Sequence, residues 1–319
     1  KLIDVAARSG VDAIKLQTFK PDEMTLNIKK GEFLLKSKKI NGTWRNKTLY
    51  EIFNKAQTPW EWHKEIFDRA KKKGLSFFSS PFDENAVDFL QTLKVPFYKI
   101  ASAENIHFPL LKKVARTGKP MIISTGMISI KELDEVVSFV RKCGCKNITL
   151  LKCTTEYPSS PKDSNILTIP YLKKRYKCNV GLSDHTLGIG ASIAAVAQGA
   201  TVIEKHLTLS RKDGAIDSFF SLEPKEFSSL VKECKIAFDS LGTIKISPSI
   251  SEKKYLKYRR SIYVSKNIKK NERFTKLNLK VIRPGLGLHP KYYESLIGKK
   301  ALKNLKKGSA MNMAFVKSE

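Results

Sequence analysis

Two of the five histidines in this chain each end a short run of strand-forming residues. His185 lies in Ser183-Asp184-His185-Thr186, and His206 lies in Glu204-Lys205-His206. The residues between them suffice for one crossover helix, so the two strands are predicted to be neighbours that aim both imidazoles at one point. Paired imidazoles are typical ligands of a divalent metal ion. The alternative is two independent polar residues on unrelated loops.

Other apolar runs also end in polar residues, and two of these residues are lysines. Lysines beside hydroxyl groups and a glycine turn predict a site for a phosphate or carboxylate, because ammonium groups and backbone N–H groups both stabilise an anion. For a single lysine, the alternative is a packed stem whose charged end reaches water. The residues in this pattern are Lys15, Gln17, Ser80, Lys99, Ser102, Glu104, Ser124 and Thr125.

The elements that would position these side chains alternate between strand-like and helical periodicity. Predicted strands cover residues 12–18, 75–79, 97–102, 121–125, 148–153, 180–183 and 202–206. Predicted helices cover residues 60–73, 84–93, 109–116, 129–142, 166–176, 190–199 and 224–241. Repeated βα units of this size predict an α/β fold, a TIM (β/α)₈ barrel with functional residues at the carboxyl ends of its strands. The alternative is an open doubly wound sheet.

The tally of strands is one short of eight. Residues 1–9 read as the helix that follows a first strand, so we expect a barrel whose first strand is missing from an N-terminally truncated sequence. After residue 243 the βα rhythm stops. The predicted organisation is a catalytic barrel over 1–243, a polar linker over 244–257, and a small module of short strands and turns over 258–319.

Composition excludes several classes of protein. The 319 residues contain no apolar run long enough for a membrane helix, so no membrane association is predicted. The five cysteines show neither a paired framework nor zinc-type spacing, which favours a reducing, cytoplasmic location. The formal charge of +29 comes mostly from scattered lysines, with only 11 arginines among 59 basic residues. This pattern predicts attraction of small anionic substrates, without a specific nucleic-acid partner.

Several stretches together resemble the sialic acid synthase family. They are Ile14-Lys15-Leu16-Gln17-Thr18, Ser80-Pro81-Phe82, Tyr98-Lys99-Ile100-Ala101-Ser102-Ala103-Glu104, Ser124-Thr125-Gly126-Met127, Thr154 through Pro158, Gly181 through Thr186, and Glu204-Lys205-His206. The resemblance runs essentially from end to end. Within the family, the chain is most similar to the pseudaminic acid synthases, through Ser183 to Gly188, Asp217-Ser218, Phe220 to Pro224, and Gly287 to Lys291.

The resemblance implies an enzyme that condenses phosphoenolpyruvate with an amino sugar and releases phosphate. It also implies a divalent cofactor held by His185 and His206, with Mn²⁺ expected and Mg²⁺ or Co²⁺ as alternatives. Glu104, His185 and His206 are the expected catalytic residues; for Glu104 the alternative is a carboxylate merely paired with Lys99. The substrate-binding residues expected on this basis are Lys15, Gln17, Ser80, Lys99, Ser102, Ser124, Thr125, Thr155, Tyr157, Ser183, Asp217 and Arg283.

The C-terminal module resembles the antifreeze-like (SAF) domain that these synthases carry. The matching stretches are Arg260 to Val264, Ile268 to Glu272, Val281 to Gly285, and Ile297 to Lys299. The resemblance implies a domain-swapped homodimer in which Arg283 reaches the sugar bound by the partner subunit. The alternative is an exposed arginine before a proline turn.

Two departures from the N-acetylneuraminate synthases bear on the sugar. Thr155 replaces their asparagine, and Lys152 stands where they often carry histidine. These departures favour a different sugar, and the resemblance to the pseudaminic acid synthases implies 2,4-diacetamido-2,4,6-trideoxy-altrose. The alternative is an N-acetylmannosamine-type sugar of an N-acetylneuraminate or legionaminic acid synthase. Other readings are a related barrel that makes 3-deoxy sugar acids from phosphoenolpyruvate and a noncatalytic sugar-binding barrel.

Overall fold

The computed structural model describes residues 1–36 and 46–317. They form two compact units, which divide between Gly242 and Thr243. None of the described helices combines the length and apolarity needed to cross a bilayer.

The first unit is built on a parallel sheet. Its strands are β1 (Ala13–Thr18), β2 (Ser76–Pro81), β3 (Tyr98–Ile100), β4 (Met121–Ser124), β5 (Ile148–Cys153), β6 (Asn179–Asp184) and β7 (Val202–Lys205). Each strand pairs with its neighbour in sequence, in the order β1 to β7. A doubly wound sheet would reverse direction at a switch point, so this order confirms the barrel-type topology and excludes that alternative for the described strands.

Helices connect the strands and cover the outside of the sheet. They are α1 (Leu2–Ser9), α2 (Pro21–Met24), α3 (Leu49–Ala56), α4 (Trp62–Lys72), α5 (Glu84–Thr92), α6 (Phe108–Arg116), α7 (Ile130–Lys142), α8 (Thr168–Tyr176), α9 (Gly190–Ala197) and α10 (Pro224–Leu241). Local signals set several ends: Ser129 forms a capping box with Glu132 at α7, and Pro224 begins α10. The sequence did not predict α2 and α3, which are short and lie in the long connection after β1.

The sheet is curled, so that side chains of its first and last strands meet. Lys15 Nζ on β1 lies 3.4 Å from Glu204 Oε2 on β7. The main apolar core lies between the sheet and the surrounding helices, where Ile123, Leu150 and Val180 pack among buried helix residues such as Val140. The opposite face of the sheet lines the inside of the curl and is polar. Side chains at the carboxyl ends of its strands are therefore available for chemistry.

The second unit contains an antiparallel pair, β8 (Ser261–Val264) and β9 (Leu279–Ile282). Short helices α11 (Ile250–Lys253) and α12 (Tyr293–Leu296) accompany it. Ile262, Phe274 and Leu279 belong to its own small core. The segment predicted as a polar linker contains α11 and a 3₁₀ turn, because Ser249 and Glu252 form a capping box that starts a helix there.

Candidate functional site

A carboxylate stands between two ammonium groups inside the curled sheet. Glu204 Oε1 lies 3.7 Å from Lys99 Nζ, and Glu204 Oε2 lies 3.4 Å from Lys15 Nζ. The hydroxyl of Ser183, paired with Glu204 in the β6–β7 register, donates to Glu204 Oε1 at 2.8 Å. The predicted residues Lys15, Lys99 and Ser183 are therefore brought together, around a carboxylate that the site prediction omitted.

Charge and burial act in opposite directions on this cluster. Burial alone would raise the pKa of Glu204, but the Lys15 and Lys99 ammonium groups and the Ser183 hydroxyl hold that pKa well below its usual range. Burial lowers the pKa of Lys99 to about 8, although Glu204 opposes that shift. Glu204 is thus ionised at neutral pH and helps to keep Lys99 charged in a desolvated place.

The neighbouring hydroxyl groups line the same interior. Lys99 Nζ donates to Ser124 Oγ at 2.7 Å, and the N–H of Gly126 donates to Ser102 Oγ at 3.2 Å. Thr125 lies directly after β4 and donates its hydroxyl to a backbone carbonyl at 3.1 Å. Gln17 follows Lys15 at the same-face spacing of β1 and pairs in register with Ser80. The seven predicted residues Lys15, Gln17, Ser80, Lys99, Ser102, Ser124 and Thr125 thus lie on β1 to β4 or directly after these strands.

Three predicted residues hold buried polar atoms without a hydrogen-bond partner among the described residues. They are Ser80 Oγ, Glu104 Oε2 and Thr155 Oγ1. Such atoms are rare in folded proteins, since each forfeits its bonds with water. Their grouping at this edge of the sheet is what a site for a polar ligand requires, because the ligand supplies the missing partners.

Glu104 lies in a 3₁₀ turn after β3 rather than on the strand. Burial raises the pKa of its carboxyl to about 7, with Lys99 opposing the shift. The ion pair of Lys99 is made with Glu204, so the reading of Glu104 as the ion-pair partner of Lys99 is not supported. A carboxyl that titrates near neutrality can accept or donate a proton at physiological pH.

The two histidines converge as the strand spacing predicts. Their ring centroids are 5.5 Å apart. His185 Nδ1 lies 2.9 Å from the Thr154 carbonyl oxygen, and His206 Nδ1 lies 3.4 Å from Asp217 Oδ2. In the tautomer with hydrogen on Nδ1, both rings donate to oxygen and keep the Nε2 lone pair free, the usual arrangement of metal-binding histidines.

The donor set fits a divalent ion with open positions. Within residues 1–36 and 46–317, no group of three or more His, Cys, Asp and Glu side chains is arranged as a metal cage. Two imidazoles would leave several coordination positions for water and substrate oxygen, which Mn²⁺ and Mg²⁺ accept readily. Burial lowers the pKa of His206, which favours the neutral form that binds metal.

Aromatic side chains form a wall beside the histidines. The Tyr157 ring centroid lies 4.4 Å from that of His185, and Phe220 lies 4.9 Å from His206. Asp217, predicted to contact the sugar, is partly exposed and bonds to His206. Tyr157 and Asp217 therefore border the histidine pair.

Lys152, singled out from the sequence, lies apart from this cluster. Lys152 lies on the helix-facing side of β5, in register with the core residue Leu182, and its ammonium donates to the Cys153 carbonyl and to Thr154. Lys152 therefore does not point into the curled sheet with Lys15 and Lys99. Arg283 follows β9 in the second unit and is exposed.

Cys153 is the second unpredicted member of the site. All five cysteines are free. Cys153 Sγ lies 4.0 Å from His185 Nδ1. Burial would raise the pKa of the thiol, but His185 and neighbouring groups lower it to about 7. The sequence prediction omitted Glu204 and Cys153, although the alternation of side chains along a strand could have indicated both. Glu204 shares a face with the predicted His206, and Cys153 shares a face with Leu151 and Thr149.

A cavity of about 900 Å³ opens beside the site, between the loops that follow β4 and β5. Thr125, Cys153 and Thr155 border it, and its outer wall is apolar, with Ile128, Ile130, Ile166 and Leu172 among the lining residues. The predicted substrate-binding residues Thr125 and Thr155 thus face a space large enough for a ligand.

The profile of the NeuB family matches residues 2–245, and that of the SAF domain matches residues 259–311. The chain belongs to the NeuB family. This NeuB-family chain is 41% identical to the pseudaminic acid synthase of Campylobacter jejuni subsp. jejuni serotype O:2, over 98% of this chain and 90% of the relative. It is 40% identical to the N,N'-diacetyllegionaminic acid synthase of the same serotype, over 96% of this chain and 91% of the relative.

A solved structure supports the assignment of the fold. The N-acetylneuraminic acid synthetase of Leptospira borgpetersenii serovar Hardjo-bovis, in complex with citrate, superposes with a TM-score of 0.69 at 32% identity. The match covers 80% of this NeuB-family chain and 83% of the other chain. The resemblance read from the sequence motifs is therefore confirmed at the level of family and fold.

Proposed function

We propose that this protein is a pseudaminic acid synthase. It would condense phosphoenolpyruvate with 2,4-diacetamido-2,4,6-trideoxy-altrose to give a nonulosonic acid and phosphate. The observation that carries the proposal is the convergence of Lys15, Lys99 and unpartnered hydroxyl groups beside the His185–His206 pair. The near full-length identity with a pseudaminic acid synthase supports the same reaction.

Phosphoenolpyruvate carries a phosphate and a carboxylate, and both are anions that this site can hold. The ammonium groups of Lys15 and Lys99 supply charge, and Ser80 and Thr155 supply hydroxyl groups that lack partners within the described structure. Glu204 keeps the two cations from repelling each other before substrate binds. Fixing phosphoenolpyruvate in one orientation turns its reaction with the sugar into an effectively intramolecular step.

A divalent ion, expected to be Mn²⁺, would be held by His185 and His206. When bound, it supplies Lewis acidity that polarises the sugar aldehyde. Asp217 would orient the His206 ring, and the Thr154 carbonyl would orient the His185 ring.

The chain's own groups account for the proton transfer. Attack of C3 of phosphoenolpyruvate on the aldehyde carbon forms the new C–C bond, and water then adds at C2. The C–O bond to phosphate breaks, so that the bonding electrons leave with phosphate and a ketone remains at C2. Glu104, with a pKa of about 7, would accept the proton of the attacking water. The former aldehyde oxygen would take up a proton from solvent as the C–C bond forms, and the hydroxyl proton left at C2 would depart with phosphate.

The sugar would lie against Tyr157 and Asp217, with Gln17 at the same edge of the sheet. Arg283 of a second copy would complete the sugar site in a domain-swapped homodimer, and the reaction would take place in the cytoplasm.

The test measures phosphate release from phosphoenolpyruvate by the purified protein with Mn²⁺ and each candidate sugar in turn. We expect release that requires the diacetamido-trideoxy-altrose and disappears in His206→Ala. Release with N-acetylmannosamine or the legionaminic acid precursor instead would assign the alternative synthase. Release with none of the three sugars would refute the proposal, provided that the protein is folded and binds Mn²⁺.

A further inference from the structure

A buried ion pair lies directly behind the two histidines. Lys205 Nζ is 2.8 Å from Asp184 Oδ2, and each side chain is at most 2% exposed. In the β6–β7 register, Ser183 pairs with Glu204 and Asp184 pairs with Lys205. The next positions along the chain are His185 and His206. The ion pair is thus the last paired row before the histidines, and it faces the helix side of the sheet.

Every oxygen of this carboxylate is occupied. Asp184 Oδ1 accepts from the backbone N–H and the hydroxyl of Thr186, both at 2.8 Å. Asp184 Oδ2 accepts from Ser192 at 2.7 Å as well as from Lys205. A fully bonded buried network holds its members in one arrangement, whereas a partly bonded one would not.

Lys205 also reaches beyond His185. Its ammonium donates to the Thr186 carbonyl oxygen at 2.7 Å. The residues on both sides of His185 are therefore tied to the residue that precedes His206. No strand pairing between β6 and β7 extends past Asp184 and Lys205 in the described structure, so this side-chain link replaces backbone pairing at the row of the histidines.

We propose that Asp184 and Lys205 are positioning residues that set the separation of His185 and His206 and thereby the affinity for the metal ion. This inference rests on the metal site of the proposed function. The pair touches neither substrate nor metal, and it acts by fixing the strand ends that carry the two imidazoles. Groups that orient metal ligands from behind typically change metal affinity by about 10- to 100-fold when they are lost.

The experiment compares Mn²⁺ binding to metal-free wild type and to the double variant Asp184→Asn/Lys205→Met by isothermal titration calorimetry. Replacing both partners avoids a lone buried charge, so the variant is expected to fold. We expect Mn²⁺ affinity to fall by about 10- to 100-fold. Activity should return at high Mn²⁺ concentration, with the KM for phosphoenolpyruvate changed less than about twofold, because Lys15 and Lys99 are untouched.

A matched control removes a different ion pair in the same way. Arg175 on α8 and Asp134 on α7 form an ion pair on the outside of the barrel, with Nη2 2.5 Å from Oδ2. The double variant Asp134→Asn/Arg175→Met should leave Mn²⁺ affinity unchanged. Unchanged affinity in the folded Asp184/Lys205 double variant would overturn the inference while leaving the phosphate-release result intact. A wild type that binds no divalent ion would overturn both the metal site and this inference.

A milder variant covers the case in which the double variant does not fold. Ser192→Ala removes one donor to Asp184 and leaves the ion pair in place. We expect Mn²⁺ affinity to weaken by about threefold, the scale of the net contribution of one hydrogen bond. An affinity equal to that of wild type would count against the positioning role.

Discussion

At the scale of single residues, two titrating groups define the expected pH dependence. The pKa of Glu104 is raised by burial to about 7, and the pKa of Lys99 is lowered by burial to about 8. The active form has Glu104 ionised, so that it accepts a proton, and Lys99 charged, so that it binds an anion. These two requirements predict a bell-shaped profile of kcat/KM between those values.

The rising limb of the profile tests Glu104. Glu104→Gln keeps the shape of the side chain but cannot take up a proton. We expect kcat to fall by about 10²- to 10⁴-fold, the usual contribution of a general base. The rise through pH 7 should vanish from the remaining activity. A profile of unchanged shape in the variant, measured by phosphate release from about pH 5.5 to 9, would assign that limb to another group.

The stability of the fold should follow the same carboxyl with a definite sign. Because the folded-state pKa lies above the usual value, Glu104 favours the folded state below its unfolded pKa and loses that contribution as pH rises through about 7. Glu104→Gln should therefore flatten the decline in unfolding free energy between about pH 4.5 and 7, measured by urea denaturation.

The falling limb tests Glu204. Because Glu204 raises the pKa of Lys99 against burial, Glu204→Gln should lower that pKa below 8. Lys99 would then lose its charge at a lower pH, and kcat/KM for phosphoenolpyruvate should begin to fall near neutrality instead of near pH 8. Glu135→Gln, which changes an α7 carboxylate outside the cluster, provides the control. If the falling limb of the kcat/KM profile does not shift in Glu204→Gln, then Glu204 does not keep Lys99 charged during the reaction.

At the scale of elements, the turn after β4 joins two loops of the site. A Cβ at Gly126 would overlap Thr155 Oγ1 and would lie 2.6 Å from Ser102 Oγ. Both approaches are far inside van der Waals contact, so an alanine here must displace both hydroxyl groups. Glycine at this position allows the loops after β3, β4 and β5 to meet.

Gly126→Ala should therefore weaken substrate binding. We expect the KM for phosphoenolpyruvate to rise at least about tenfold, the equivalent of roughly 1.4 kcal/mol. Gly190→Ala is the matched control, because a Cβ at Gly190 meets no atom within 4 Å. Steady-state kinetics of both variants test this prediction. If the KM for phosphoenolpyruvate is the same in Gly126→Ala and Gly190→Ala, the loops adapt to the added methyl group without loss of binding.

At the scale of the whole molecule, the proposed domain-swapped dimer makes a strong prediction about mixed subunits. His206→Ala removes a proposed metal ligand from the barrel, and Arg283→Ala removes the proposed sugar contact from the second unit. If each site combines a barrel with the partner's second unit, a mixed dimer contains one site with both defects and one with neither. Co-expression of the two inactive chains should then restore about a quarter of wild-type activity.

Separate purification of the two variants supplies the reference for that experiment. Each variant alone should stay near background in the phosphate-release assay. If the co-expressed sample forms mixed dimers and is no more active than its parents, Arg283 does not act across subunits.

The sequence by itself determined the topology and much of the site. Period-two apolar runs and 3.6-period helical stretches are local patterns, and they placed the seven strands within a few residues of their observed positions. Because parallel strands present their carboxyl ends at one edge, the polar residues that end those runs could be grouped from their order in the chain. Lys15, Lys99, Ser124, His185 and His206 were found in this way.

Tertiary structure alone decided which of these groups bond to which. The position of Glu204 between Lys15 and Lys99 depends on the curl that brings β7 to β1, and that curvature is a property of the whole sheet. The outward position of Lys152 follows from the β5–β6 register. A one-residue change in register reverses the face of every side chain, so local sequence periodicity could indicate the strand but not the partner that each side chain meets.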